Sequence, residues 1–86
     1  MFVILVYDVN QKRGGKVIKI CRKYLVHVQK SVFEGIITEA KLKNLKKELK
    51  KVIDFESDGI CIYSANSSQY LYKEQIGVVE EHPNII

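Results

Sequence analysis

Phe2-Val3-Ile4-Leu5-Val6-Tyr7 is an unbroken apolar run closed by a carboxylate, Asp8. Its β-branched and aromatic residues predict a strand. Apolar side chains stand at every position rather than at alternate ones, so both faces of that strand call for cover. The chain has 86 residues, enough for one domain and one modest core. A single layer of helices covers one face only, which makes the other face the central question of the fold.

Outward from that strand, Asp8-Val9-Asn10 ends it and residues 11–15 read as a polar turn containing Gly14 and Gly15. Val17, Ile20, Cys21 and Tyr24 recur at helical spacing, predicting a helix over 16–25. Extended character returns over 26–37, with Gly35 marking a bend, as one bent strand or two short ones. Thr38 is a fitting N-cap for a second helix. That helix carries Leu42, Leu45, Leu49, Val52 and Ile53 on one stripe and lysines over the rest. A loop at 54–59, a strand at 59–65, a polar turn at 66–69 and a last extended segment at 70–80 follow. Residues 81–86 read as a tail, leaving one domain over 1–80.

This order suits an α+β, ferredoxin-like βαββαβ sandwich with an additional C-terminal strand, both helices lying on one face. The simplest cover for the bare face is a second copy of the chain, so a sheet-to-sheet homodimer is expected. The segment 70–80 is then a candidate for crossing to the partner's sheet edge.

Charge is unevenly spread. The net charge is +4, yet 13 of the 14 basic residues lie between Lys12 and Lys51 beside only Glu34, Glu39 and Glu48, a local net of +10. The rest of the chain carries −6. A basic stretch of that size suggests a polyanion such as nucleic acid, or else well-solvated helix faces. The apolar run at the start is too short to span a bilayer and has no basic flank, so a soluble, cytoplasmic protein is expected. Cys21 and Cys61 form no CxxC pair and read as small buried hydrophobes in a reducing compartment. His27 and His82 lack zinc-like spacing to them, so no transition-metal site is expected.

Asp8 is the residue most able to carry chemistry. A carboxylate at the mouth of a buried strand needs a partner, which a hard cation such as magnesium supplies. A cap on the following turn, through the Asn10 or Gln11 amides, is the other reading. Arg13, Lys16 and Arg22 lie along the first helix and could cradle phosphate or simply face water. Tyr7 or Phe33 could stack on a base or pack in the core. Ser31 lacks the His/Asp arrangement of an activated nucleophile.

Val6-Tyr7-Asp8-Val9, the basic helix with Arg13 and Lys16, and above all Gln29-Lys30-Ser31-Val32-Phe33-Glu34-Gly35 resemble the small CRISPR-associated endoribonuclease family. The likeness in length and element order covers nearly the whole chain. It implies a ferredoxin-like homodimer with an exchanged C-terminal strand. It also implies that Asp8 of both subunits flanks a divalent metal, Mg2+ or Mn2+, with Tyr7, Ser31 and Phe33 as site neighbours. The activity implied is a slow, metal-dependent endonuclease on single-stranded RNA or duplex DNA. The partner implied is the CRISPR integrase during acquisition of new spacers, where a non-catalytic, DNA-binding adaptor role is the alternative.

Overall fold

The computed structural model describes residues 1–67 and 70–78. Within those residues five strands and two helices follow in the order β1 (Phe2–Asp8), α1 (Gln11–Cys21), β2 (Val26–Gln29), β3 (Val32–Ile36), α2 (Glu39–Val52), β4 (Gly59–Ser67) and β5 (Tyr70–Gly77). The strands form one antiparallel sheet in the order β2-β3-β1-β4-β5, so the apolar β1 lies at its centre.

The pleat sorts β1 into two sets of side chains. Val3, Leu5 and Tyr7 point into the core, joined by Phe33 from β3, Ile60 and Ile62 from β4 and Ile76 from β5. Val17 and Cys21 of α1 and Leu42, Leu45 and Leu49 of α2 close that core from above. Phe2, Ile4, Val6 and Asp8 stand on the opposite face, which no element of the described chain covers. Register extends that face sideways, setting Phe2 between Ile36 and Ala65, and Ala65 beside Leu71. Ile36 is 83% exposed and Leu71 70%, unusual for apolar residues of this size.

Several local expectations are corrected. The first helix begins at Gln11 rather than 16, because the Asn10 side chain caps it by accepting a hydrogen bond from the Lys12 amide at 3.0 Å. Gly14 and Gly15 therefore lie within the helix, despite a propensity cost of about 1 kcal/mol each. The extended stretch 26–37 is two strands, broken at Lys30-Ser31 and not at Gly35. Gly35 instead sits opposite Val3, where a Cβ would come within 3.3 Å of the Leu25 side chain. Thr38 does cap α2, accepting from the Lys41 amide at 3.2 Å.

The last strand joins the chain's own sheet. Tyr70–Gly77 pairs with β4 of its own chain, from Gly59 opposite Gly77 to Ser67 opposite Tyr70. Two residues separate the paired strands, and the other edge of β5 pairs with no strand among the described residues. Residues 79–80 of the expected segment and the tail at 81–86 lie outside the described residues. Lys46 Nζ reaches Glu74 at 3.0 Å, tying α2 to β5.

Gly77 holds the end of this hairpin. Its φ of +82° is open to glycine and strained for other residues, and an added Cβ would lie 2.1 Å from the Asp58 carbonyl oxygen. Gly77→Ala is expected to cost about 2 kcal/mol, through that collision and the left-handed backbone. Urea titration followed by circular dichroism measures it, and a midpoint equal to that of the parent protein would contradict the strain.

Candidate functional site

Asp8 ends the central strand with its side chain exposed on the uncovered face. Its cross-strand neighbour is Gly59, and the next residue across is Gly77. Two glycines in a row leave bare backbone beside the carboxylate. The adjoining row, Val6, Cys61 and Gln75, and the next, Ile4, Tyr63 and Lys73, bring a thiol, an amide, a phenol and an ammonium to the same face. Lys73 Nζ lies 5.6 Å from the centre of the Tyr63 ring. Together these groups border an open depression of about 300 Å3 reached by Asp8. Among the described residues, no hydrogen bond engages the Asp8 carboxylate, and the turn after β1 is capped by another residue.

That residue is Asp58, which stands immediately before β4 and is fully buried. Each of its oxygens takes two donors. Oδ1 accepts from the Asn10 amide at 2.9 Å and from Arg13 Nη2 at 3.1 Å. Oδ2 accepts from the Asp54 amide at 2.9 Å and from Arg13 Nε at 2.5 Å. The Arg13 guanidinium holds the Asp58 carboxyl well below the usual carboxylate range, helped by the two amides and opposed by burial. A carboxylate beside the basic helix thus commits Arg13, offered by the sequence as a phosphate contact, to an internal ion pair. Arg13 Nη2 also reaches Ser57 Oγ at 3.3 Å.

The other two basic candidates remain exposed. Lys16 lies on the outer surface of α1, and Arg22 caps its C-terminal end. Arg13 and Arg22 are roughly 14 Å apart along the helix axis, at 1.5 Å per residue. The three residues therefore line a helix and do not converge on one phosphate.

Tyr7 and Phe33 lie on the side of the sheet facing the helices, and Ser31 joins them through its main chain. The Tyr7 hydroxyl donates to the Lys30 carbonyl at 2.8 Å, and its amide donates to the Ser31 carbonyl at 3.0 Å. His27 Nε2 approaches the same Lys30 carbonyl at 3.0 Å while its ring stacks on Phe33, centroids 4.3 Å apart. Phe33 is fully buried, so its ring is unavailable to a base, and burial also raises the Tyr7 phenol above its ordinary value. These aromatics fix the β2–β3 hairpin against β1; of the three, only Tyr7 borders the depression beside Asp8. Burial likewise pushes the Cys21 thiol up to about 12, which keeps it protonated and unreactive.

Sequence reasoning missed Asp58, Gln75 and Lys73. Asp58 sits in a loop with Asp54 and Glu56, and no periodicity distinguishes it from them. Only the pairing of β1 with β4 brings it beside Asn10 and Arg13. No helix of the described residues is long and apolar enough to cross a membrane.

Comparison with known proteins gives this arrangement its relatives. The family model described as CRISPR associated protein Cas2 matches residues 1–72. The chain is 45% identical over 78 residues to the CRISPR-associated endoribonuclease Cas2 of Dictyoglomus turgidum, covering 91% of this chain and 90% of the relative. The protein of that name from Pyrococcus furiosus is 42% identical over 83 residues, with 96% and 94% covered. Among solved structures, Streptococcus pyogenes Cas2 at pH 6.5 superposes with a TM-score of 0.71 at 38% identity, covering 77% of this chain and 87% of that one. A second crystal structure titled cas2 gives 0.75 at 35% identity, with 100% and 93% covered. A family match over most of the chain, relatives of the same length and the same backbone together place this chain in the CRISPR-associated Cas2 family.

Proposed function

We propose that this protein is a metal-dependent endonuclease of the CRISPR system, working as a homodimer, with Asp8 as the metal-bearing carboxylate. The observation that carries this reading is the exposed Asp8 carboxylate, free of internal hydrogen bonds with described residues and set beside a polar depression. Relatives named as endoribonucleases make single-stranded RNA the first substrate to test, with duplex DNA the second.

The donor chemistry suits a hard divalent cation. Magnesium keeps several waters and is commonly held by one or two carboxylates. Among the described residues, no group of three His, Cys, Asp or Glu side chains could hold a metal. A single chain thus offers one carboxylate, and the same Asp8 of a second copy would complete the pair. Mg2+ or Mn2+ bound there would polarise a phosphate and lower the pKa of a bound water. The chain's own part is to place Asp8 at the rim, keep Gly59 and Gly77 bare beside it, and set the Lys73 ammonium across the depression, where it can meet phosphate oxygens.

We read the fold as ferredoxin-like with β5 appended, and the uncovered face as the dimer contact. Phe2, Ile36 and Leu71 give that face an exposed apolar margin. A sedimentation experiment reporting only monomer at micromolar concentration would remove both the dimer and the shared metal.

A second reading, a DNA-binding adaptor between copies of the CRISPR integrase in spacer acquisition, is favoured by the thinness of the site and by the basic stretch of Lys12 to Lys51. Lys16 and Arg22 are exposed and able to meet a phosphate backbone without reading bases. Asp8→Asn separates the two. For the enzyme, cleavage of labelled RNA or DNA with magnesium or manganese falls at least a hundredfold, on the order of removing one strong electrostatic contact from a transition state. Folding is unchanged, because the side chain is exposed. Equal background in both proteins, with DNA binding intact, would leave the adaptor reading in possession.

A further inference from the structure

We propose that Asp58 is a positioning residue for Asp8. The proposal rests on the reading of Asp8 as the metal-bearing carboxylate, and it names what holds that carboxylate in place. Asp8 is bracketed on three sides. Across the sheet its Cα pairs with Gly59, the residue that follows Asp58. Along the chain, Asn10 is two residues downstream, and its amide donates to Asp58 Oδ1 at 2.9 Å. The Asp58 main chain closes the third side, its carbonyl accepting from the Val78 amide at 2.8 Å.

One buried side chain therefore fastens the exit of β1, the start of α1 through Arg13, and the loop before β4 through the Asp54 amide. The exposed Asp8 carboxylate has no hydrogen bond of its own among described residues. The backbone that Asp58 immobilises sets where the Asp8 Cα–Cβ bond leaves the sheet, and so where the carboxylate is presented. Gly59 contributes by allowing the approach, since a Cβ there would lie 2.0 Å from the Val78 carbonyl oxygen.

The experiment compares Asp58→Asn with the parent protein at a temperature where both are folded. Its two readouts are the kcat and KM for single-stranded RNA with manganese, and the carbon-13 resonance of the Asp8 carboxyl in the metal-free protein. The expected result is a kcat at least tenfold lower with KM within twofold, and a shifted or broadened Asp8 carboxyl signal. A folded variant with the parent's kcat and Asp8 signal would overturn the proposal. If the parent protein cleaves nothing, the nuclease reading fails, and the Asp8 signal alone decides on positioning. Should Asp58→Asn not fold, Arg13→Gln loosens the same clamp while leaving both amide bonds to Asp58. An Asp8 signal unmoved in that variant, read without RNA, would equally overturn the proposal.

Discussion

Phe33→Ala is expected to remove about 4 kcal/mol of stability, the usual range for deleting a fully buried aromatic ring. Phe33 lies opposite Leu5 on the central strand, with the His27 ring stacked on one side and Tyr7 at 6.1 Å between centroids. Removing it leaves a void that the hairpin cannot close without breaking the bonds of Tyr7 and His27 to the Lys30 carbonyl. A domain of this size commonly has only about 5–15 kcal/mol in total, so the variant would sit near the edge of folding. Urea unfolding followed by circular dichroism measures the loss. Phe33→Leu keeps much of the volume and is expected to cost about 1 kcal/mol. Its cleavage per folded molecule should match the parent's, because the ring faces the core. Lost cleavage in a stable Phe33→Leu protein would restore the base-stacking role that the sequence left open.

Asp58→Asn is expected to cost about 3 kcal/mol, the range seen when one partner of a buried pair is removed. The geometry explains why no amide orientation helps. Each Asp58 oxygen accepts from one backbone amide and one Arg13 nitrogen, so an NH2 group at either position faces two donors. The pH dependence follows from the depressed carboxyl. Asp58 stabilises the fold fully above the unfolded carboxylate value of about 3.9, and that contribution disappears as pH falls toward its lower folded value. The stability gap between parent and Asp58→Asn should therefore be constant from pH 7 to 5 and shrink below pH 4. A gap that stays constant in acid would mean that Asp58 is not the ionised centre of this cluster.

Much of the fold was legible because its signals are local. The run from Phe2 to Tyr7, the Thr38 cap and the Leu42-Leu45-Leu49 stripe each declare themselves within one element, and each forms as read. The start of α1 was not legible, because Gly14-Gly15 has the composition of a turn. The helix there is carried by the Asn10 cap and by the tie from Arg13 to a residue 45 positions away. The break at Lys30-Ser31 was hidden for a similar reason. Two polar residues inside an extended run look like one bent strand until Val32 finds Val6 and Gln29 finds Val32.

The candidate site divides in the same way. Asp8 was visible as a charge closing an apolar run, and the structure leaves it exposed on the uncovered face. Arg13, Tyr7 and Phe33 were chosen by residue type, and type does not say which way a side chain points. Alternation along β1 sends Tyr7 to the core and Asp8 to the open face, one residue apart. The sequence by itself determined the order of strand and helix character, the apolar central strand and the basic middle of the chain, since these follow from composition and short-range periodicity. The tertiary structure alone decided that Arg13 answers to Asp58, that β5 lies beside its own β4, and that Gln75 and Lys73 share a face with Asp8. Those facts depend on strand register between distant segments, which is set by the packing of the whole core and by no residue near them in the chain.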